Sequence, residues 1–264
     1  MPDGAKSPAF YEQRWFKAVV SVLGLTTALL AIAGPLRSAV RGLFPGPAHP
    51  ALNTQVIFDT SAAMGDPFHG MENRRDAGLE ALRSTRFLPS EGVGLRRTDP
   101  RCSEEPSDPL VPLGIDHGEE VRATAEEQKL EGRSNLIIAV RSAIAEFAAA
   151  PYEEDSADQK RIIVIAAGVD ECAPEPIEEL EHVLSGADLN RDTSEFKLFG
   201  LDASSEEERR LKALERALSR TGASVRVWTP HNVKQLYRDV EKMNREGESR
   251  PGVPPGEQTI PDGQ

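Results

Sequence analysis

The alternation of apolar and polar residues between Leu52 and Arg245 predicts a β-sheet covered by helices. Short runs of β-branched and aliphatic residues are separated by stretches of helical periodicity, which is typical of successive β–α units and a mostly parallel sheet. The run from Arg161 to Gly168 is apolar almost throughout, so we expect it at the centre of the sheet, buried on both faces. The other predicted strands are Gln55–Phe58, Gly92–Arg96, Phe196–Asp202 and Ser224–Trp228, with Leu110–Gly114 as a candidate edge strand.

Helical periodicity marks the segments between these strands. Glu72–Arg86 carries apolar residues among charges and predicts an amphipathic helix. Ser134 precedes an apolar stripe of period four, and its hydroxyl is well placed to cap that helix. That stripe consists of Leu136, Val140, Ile144 and Phe147. Two further predicted helices carry the apolar stripes Leu211, Leu214 and Leu218, and Val233, Leu236, Tyr237 and Val240. The sequence therefore predicts an α/β fold with a Rossmann-like, mostly parallel central sheet flanked by helices.

Residues 18–36 form an uncharged apolar segment of nineteen residues, "AVVSVLGLTTALLAIAGPL". A helix needs about 20 apolar residues to cross a bilayer, so we predict one transmembrane helix after a short cytoplasmic segment, residues 1–17. Two alternatives stay open: a cleaved signal peptide, since Ala31, Ile32 and Ala33 form a small-x-small pattern, or a buried helix of a soluble protein. With an anchor or a cleaved signal the remaining domain is extracytoplasmic, on a single-pass membrane protein or in a secreted one.

The rest of the chain divides into a linker, a domain and a tail. Residues 37–51 are rich in Pro and Gly and predict a linker, whereas residues 52–245 form the predicted domain. Residues 246–264 have too little apolar surface to pack and predict a disordered tail. Within the domain, Thr98–Leu130 is a long acidic insertion, for which two interpretations stay open: a partner-binding surface, or a solvated, partly disordered loop.

Composition restricts the function. The formal net charge of -12 and the pI of about 5.0 argue against nucleic acid as the partner, because phosphate binding needs a concentrated basic face. Two cysteines are too few for a zinc framework, and no pair of the five histidines has a metal-ligand spacing. The G-x-S-x-G motif of serine hydrolases is missing from the sequence. We therefore expect a protein partner, with a basic surface suiting the acidic chain, and no small-molecule substrate.

Three loops are candidates for a ligand site, because ligands bind at the carboxyl ends of strands in an open parallel sheet. They comprise residues 59–64, 132–136 and 166–172. In order, spacing and motif, the region 52–245 resembles a von Willebrand factor A domain. The resemblance is carried by "FDTSAAM" after the first strand, "GRSNL" at a helix start, "VIAAG" at the end of the buried strand, "FGLD", and "RTGASVRVW" leading into the last strand.

The resemblance implies a metal-ion-dependent adhesion site, in which side-chain oxygens hold Mg²⁺ and the cation takes a carboxylate from the partner. Asp59 and Ser61 match the first loop of such a site, and Ser134 stands where threonine is usual. Ala63 and Ala167 replace a serine and an aspartate, so only three of the five expected oxygen donors are present. We therefore expect a degenerate site that binds Mg²⁺ weakly or not at all.

Other roles for the same residues stay open. Asp170, beyond the third loop's missing aspartate, is a candidate replacement carboxylate for the metal. Asp59 and Ser61 are equally suited to shaping the turn at the strand end by bonding nearby backbone amides, and Ser134 to capping its helix.

Two cysteines flank the predicted site: Cys102 in the insertion and Cys172 directly after the third loop. An exported domain meets oxidising conditions, so we expect them to form a disulfide. The expected bridge is also in line with the resemblance, since some bacterial-type von Willebrand factor A domains carry a cysteine at the position of Cys172. Two buried thiols, or a redox-active pair, are the alternatives.

We therefore expect a non-enzymatic protein-binding module that contacts its partner through the carboxyl ends of the strands. The alternative is a haloacid-dehalogenase-like phosphatase, in which an apolar strand also ends in a catalytic aspartate, here Asp59. Such enzymes need a second acid two residues further on, and this sequence has Ser61 there.

Overall fold

Six strands form one sheet in the computed structural model, which describes residues 52–88, 91–148, 159–168, 172–187, 194–220 and 224–248. The strands are β1 (Leu52–Phe58), β2 (Gly92–Arg97), β3 (Val111–Ile115), β4 (Gln159–Ala166), β5 (Ser194–Gly200) and β6 (Ser224–Trp228). Their order is β3-β2-β1-β4-β5-β6, with β3 antiparallel to β2 and all other neighbours parallel. The sheet confirms the predicted mostly parallel α/β fold, with β4 in its interior and β3 at its edge.

The predicted cytoplasmic segment, membrane segment and linker lie outside the described residues, and so does the chain from residue 249 onwards. Among the described residues, no helix combines the length and the apolar character needed to cross a bilayer. The last described helix continues to Glu248, beyond the predicted end of the domain at Arg245.

Helices connect the strands on both faces of the sheet. They are α1 (Arg74–Ser84), α2 (Gly118–Glu127), α3 (Leu136–Ala148), α4 (Pro176–Gly186), α5 (Ser205–Arg220) and α6 (Val233–Glu248), with a short 3-10 turn at Ala62–Gly65. The sequence analysis did not predict α2, and it gave no bounds for α4. The helix α4 has a recognisable signal, because Pro176 occupies its first turn and Ile177, Leu180 and Leu184 form a buried stripe. In α2 only Val121 and Ala125 are buried, so its apolar pattern is short.

Two apolar layers, one on each face of the sheet, make up the core. Because successive side chains of a strand point to opposite faces, β1 and β4 contribute alternate residues to each layer. One layer packs against α1, α2 and α6 and includes Val56, Phe58, Ile163, Ile165, Phe199, Leu82 and Leu236. The other packs against α3, α4 and α5 and includes Ile57, Ile162, Val164, Phe196, Val140, Leu180 and Leu214. Burial on both faces explains the unbroken apolar run of β4.

The insertion between Thr98 and Leu130 is built into this core. It contains β3, which pairs with β2, and α2, whose buried residues belong to the layer beneath α1. A second attachment involves Glu146 of α3, which forms an ion pair with Arg96 and accepts a hydrogen bond from the backbone N–H of Leu113 at 3.3 Å. Over these elements the interpretation as a solvated, partly disordered loop is wrong, because strand pairing and burial hold the segment against the domain.

Two buried ion pairs involve residues of the strands. Arg161 is 3% exposed, donates from Nε to the hydroxyl of Thr54 at 2.9 Å, and pairs with the buried carboxylate of Glu91. On β5, the Nζ of Lys197 lies 3.1 Å from a carboxylate oxygen of Glu195, and burial lowers the pKa of this lysine. Arg161, Thr54 and Glu91 thus form a buried polar group near the amino ends of β1, β2 and β4, whereas Lys197 is buried in the middle of β5.

Candidate functional site

The loops at the carboxyl ends of β1, β2 and β4 meet at one edge of the sheet, here called the strand-end face. The first loop, Asp59–Gly65, is joined to the segment before α3 by two backbone hydrogen bonds. These run from the N–H of Ala62 to the carbonyl of Gly132 at 3.1 Å, and from the N–H of Glu131 to the carbonyl of Thr60 at 2.8 Å. The fold thus brings the first two predicted loops together.

The Asp59 carboxylate is buried beneath this face and is 1% exposed. Its Oδ1 accepts hydrogen bonds from the backbone N–H of Ser61 at 2.9 Å and from the hydroxyl of Thr98 at 3.0 Å. Its Oδ2 accepts from the backbone N–H of Ala167 at 3.1 Å. Both oxygens therefore have protein donors, an arrangement that compensates for the loss of water on burial.

Thr98 is a site residue that the sequence analysis missed. Its hydroxyl donates to Asp59 and accepts from the backbone N–H of Thr60 at 3.2 Å, and the residue is fully buried. The signal was present: Thr98 directly follows β2, and β2 is the parallel neighbour of β1, so the two strand ends must lie side by side.

The predicted hydroxyl ligands are buried as well. Ser61 is 1% exposed, and its Oγ has no hydrogen-bond partner within the described part of the chain. Ser134 is 2% exposed and lies two residues before α3, so that Asn135 directly precedes the helix. The side-chain amide of Asn135 donates to the carbonyl of Ser103 at 2.7 Å, which attaches the insertion to this helix start. Asp170 lies outside the described residues.

The residues described here do not make a complete cation site. A small divalent cation requires about six oxygen ligands, with carboxylates supplying most of the attraction. Among the described residues that match the pattern of the adhesion site, Asp59 is the one that carries a carboxylate. Its oxygens already accept three hydrogen bonds. Ala167 occupies the position at which the family pattern has an aspartate. Its backbone N–H is a hydrogen-bond donor and points towards Asp59. In the ranges that the structure covers, no three or more His, Cys, Asp or Glu residues are grouped to hold a metal ion.

A guanidinium group against the first loop also opposes cation binding. Arg74, at the start of α1, is 17% exposed, and its Nη1 lies 3.5 Å from the carbonyl oxygen of Ala63 and 3.3 Å from Asp66. Its Nη2 lies 3.6 Å from Asp202, at the end of β5. A partly buried positive charge next to the loop raises the electrostatic energy of a cation there. The sequence analysis did not identify this residue, because the contact joins parts of the chain that only the fold brings together.

The other half of the strand-end face is formed by the ends of β5 and β6. Asp202 adopts a left-handed backbone conformation with φ of 55°, and its backbone N–H donates to the carbonyl of Pro230 at 3.0 Å. The Nδ1 of His231 lies 3.2 Å from a carboxylate oxygen of Asp202, and its Nε2 lies 3.9 Å from Glu208. A hydrogen bond from Lys212 lowers the pKa of Glu208. These contacts extend the face across the sheet as a series of charged groups.

The predicted disulfide between Cys102 and Cys172 is confirmed, with a Cα–Cα distance of 5.3 Å. The bridge closes a loop of seventy residues in sequence and joins the insertion to the segment after β4. Cys102 is followed by Ser103, the residue whose carbonyl binds Asn135, so the bridge lies beside the loops of the strand-end face. The two cysteines are therefore not the buried thiols of the alternative interpretation.

No protein-family model matches the chain, and no curated protein sequence matches it. Solved structures do resemble it. The PilB minor pilin from Streptococcus sanguinis superposes with a TM-score of 0.55 at 12% identity, over 74% of this chain and 60% of that one. A von Willebrand factor type A protein from Catenulispora acidiphila gives 0.51 at 16% identity, over 73% and 41%. The pilus adhesin SpaC from Lactobacillus rhamnosus GG gives 0.51 at 12% identity, over 74% and 30%.

These similarities define the fold of the chain as von Willebrand factor A-like. The identities are too low to carry more than the fold. The chain spans less than two thirds of the length of each of these proteins, so it corresponds to one part of them.

The hydrogen bonds of Asp59 predict the effect of an isosteric change. In Asp59→Asn, an amide that keeps its oxygen towards Ser61 and Thr98 places its NH₂ group against the N–H of Ala167, so two donors face each other. We expect the free energy of unfolding to fall by about 1 to 3 kcal/mol in urea titrations. The matched control is Asp66→Asn in the same loop, where the side chain is 60% exposed and the expected change is below about 0.5 kcal/mol. Equal stability of Asp59→Asn and the wild type would contradict this role of Asp59.

The disulfide predicts a second effect on stability. Replacement of both Cys102 and Cys172 by serine is expected to lower the free energy of unfolding by about 2 to 4 kcal/mol, because the bridge restricts the unfolded chain. A reductant should produce the same decrease in the wild type and none in the double variant. An unchanged urea midpoint in the double variant would contradict a stabilising role of the disulfide.

Proposed function

We propose that this chain is a non-enzymatic protein-binding module of von Willebrand factor A type that contacts a partner through the strand-end face. The observation that carries the proposal is the hydrogen-bonded Asp59 carboxylate, which connects the loops after β1, β2 and β4 through donors of the protein itself. A fixed surface of this kind binds a partner without a large cost of ordering its own loops. The likeness in fold to a minor pilin and a pilus adhesin supports a role in adhesion or assembly.

The charges of the strand-end face support a basic partner. Asp66 is 60% exposed, Glu131 57% and Asp202 39%. Their basic partners are less exposed: Arg74, which pairs with Asp66 and Asp202, is 17% exposed, and Arg97, which pairs with Glu131, is 38% exposed. Opposite charges accelerate the encounter of two proteins and select against acidic competitors. The net charge of -12 on the whole chain acts in the same direction.

In this proposal, partner binding does not depend on a metal. Asp59, Ser61 and Ser134 form a degenerate adhesion site whose carboxylate has become a structural acceptor, and any Mg²⁺ binding is weak. Asp170 remains a candidate replacement ligand for the cation, and a Mg²⁺ titration of the chain would detect its contribution as cation binding.

The contacts of Asp59 also argue against the phosphatase alternative. A nucleophilic aspartate needs an exposed oxygen that can reach the phosphorus atom, but Asp59 is 1% exposed and both of its oxygens accept hydrogen bonds. The neighbouring hydroxyl of Ser61 cannot replace the second acid of such enzymes, because it does not titrate in the required range. Hydrolysis of phosphate esters is therefore not part of the proposed function.

The proposed location is extracytoplasmic, with the chain anchored in a membrane by residues 18–36 or secreted after cleavage there. The disulfide supports this location, because structural disulfides persist in oxidising compartments and are rare in the cytosol. The length of the apolar segment supports the anchor.

Metal independence is tested by calorimetric titration of the full chain with Mg²⁺ and Mn²⁺. We expect no saturable heat up to about 10 mM, a concentration above the usual dissociation constants of extracellular cation sites. The double variant Ala63→Ser, Ala167→Asp restores the two missing donors and serves as the positive comparison. Saturable binding in the wild type that disappears in Asp59→Ala would show that the site works with a replacement carboxylate.

The binding face is tested by site-specific photo-crosslinking in cells that produce the protein. A photoreactive residue at Ala62, exposed on the strand-end face, is expected to give a specific adduct that a metal chelator does not remove. The matched control is the same residue at Ala213, exposed on α5. An adduct only at Ala213 would place the interface at α5 and contradict the proposed face. Loss of the Ala62 adduct with chelator would show that binding depends on a metal.

A further inference from the structure

A cleft at the amino end of the sheet is lined by positively charged residues, although the chain as a whole is acidic. It has a volume of about 550 Å³ and lies where β1 begins and α1 ends. Four arginines line it, namely Arg83, Arg86, Arg122 and Arg161. Among its described lining residues one carboxylate, Glu91, stands against these four. In a protein with a formal net charge of -12, this is a local concentration of positive charge.

The floor of the cleft is the buried pair of Arg161 and Glu91. The guanidinium is 4% exposed, and one of its Nη atoms lies 2.5 Å from a carboxylate oxygen of Glu91, whose other oxygen accepts from the backbone N–H of Leu88 at 2.9 Å. The hydroxyl of Thr54 donates to the same carboxylate. Glu91, the one carboxylate among the described lining residues, is therefore held within the floor by Arg161, Thr54 and a backbone N–H.

The walls hold Arg122 in a fixed orientation. Its Nη2 donates to the carbonyl of Thr85 at 2.9 Å, and its guanidinium lies 5.2 Å from the ring centre of Phe87. The wall itself is fixed by Asn244 of α6, which donates to the carbonyl of Ser84 at 2.9 Å and accepts from the backbone N–H of Arg86 at 3.1 Å. A ligand therefore meets arginines on a wall that is already ordered.

The acidic partners of Arg83 and Arg122 lie outside the cleft. Arg122 pairs with Glu119, which is 89% exposed. Arg83 pairs with Glu126, which is 47% exposed, and with Glu80, which is 25% exposed. None of these three glutamates lines the cleft. Solvent-exposed ion pairs of this kind contribute little free energy, so an anion inside the cleft can compete with them for the guanidinium groups.

We propose that this cleft binds a phosphate ester. Guanidinium groups present planar pairs of N–H donors that match the oxygens of a phosphate, and several of them around one space suit a group with multiple acceptor oxygens. The volume is that of a pocket for a small organic ligand rather than for a bare ion. Leu52, Phe87 and Leu88 supply apolar lining for the organic part. The inference does not rest on the proposed function, because the cleft and the strand-end face lie at opposite ends of the sheet.

The phosphate could belong to a free phosphorylated molecule or to a phospholipid headgroup. Calorimetry on the full chain with two soluble probes distinguishes these sources: glycerol phosphate as a monoester, and glycerophosphoglycerol as a headgroup diester. We expect saturable binding of at least one probe, and the tighter probe identifies the source. Succinate, a dianion without phosphorus, is expected to bind at least about tenfold more weakly than the better probe, since a carboxylate offers fewer oxygens at one centre.

Two matched double variants test the site. Arg83→Gln with Arg86→Gln removes two charges from the rim of the cleft and should weaken binding by about tenfold or more, because each removes a charge-assisted hydrogen-bond donor. Arg216→Gln with Arg220→Gln removes the same charge from the exposed surface of α5 and should change binding by less than about twofold. Thermal unfolding establishes that both variants remain folded.

Three outcomes would overturn the proposal: no binding of either probe by the wild type, equal weakening in both double variants, or binding of succinate as tight as that of the phosphate probes. The first outcome would show that the cleft does not bind phosphate esters. The second would show that binding depends only on the total charge of the protein, and the third that the cleft does not prefer phosphate to carboxylate.

Discussion

The hydrogen bonds to the buried carboxylate of Asp59 determine the arrangement of the strand-end face. A carboxylate taken out of water destabilises a fold unless its oxygens find donors, so the surrounding loops must provide them. Here the donors come from Ser61, Thr98 and Ala167, which follow three neighbouring strands. One side chain thus connects loops that the ladder hydrogen bonds of the sheet do not reach, and the positions of the exposed residues follow from it.

The same constraint bears on the proposed independence from a cation. In a complete metal site, several carboxylates and hydroxyls would repel one another without the positive charge between them. In this chain a backbone N–H at Ala167 occupies the place of one acceptor, and the guanidinium of Arg74 lies against the loop that lacks the second serine. Donors and positive charge therefore come from the protein itself.

The sequence predicted the fold more completely than the site, for a physical reason. Apolar runs identify strands such as β4 because burial on both faces restricts every residue in them. The helix α2 escaped prediction because Val121 and Ala125 are its only buried residues. Ala63 and Ala167 could be recognised as missing donors from the motif. Thr98 directly follows β2 and could be recognised once β2 is placed beside β1. The contacts of Arg74 could not, because they depend on a long side chain that joins distant parts of the chain.

The arginine-lined cleft and the strand-end face are separated by the length of β1. Seven residues of a parallel strand span roughly 23 Å, which is more than two Debye lengths at physiological salt. Direct electrostatic coupling between an anion in the arginine-lined cleft and a partner at the strand-end face is therefore weak. Any coupling would have to pass through packing, and β1, which contacts both ends and lies between β2 and β4, is the element most resistant to displacement. Ligands at the two ends should thus bind independently.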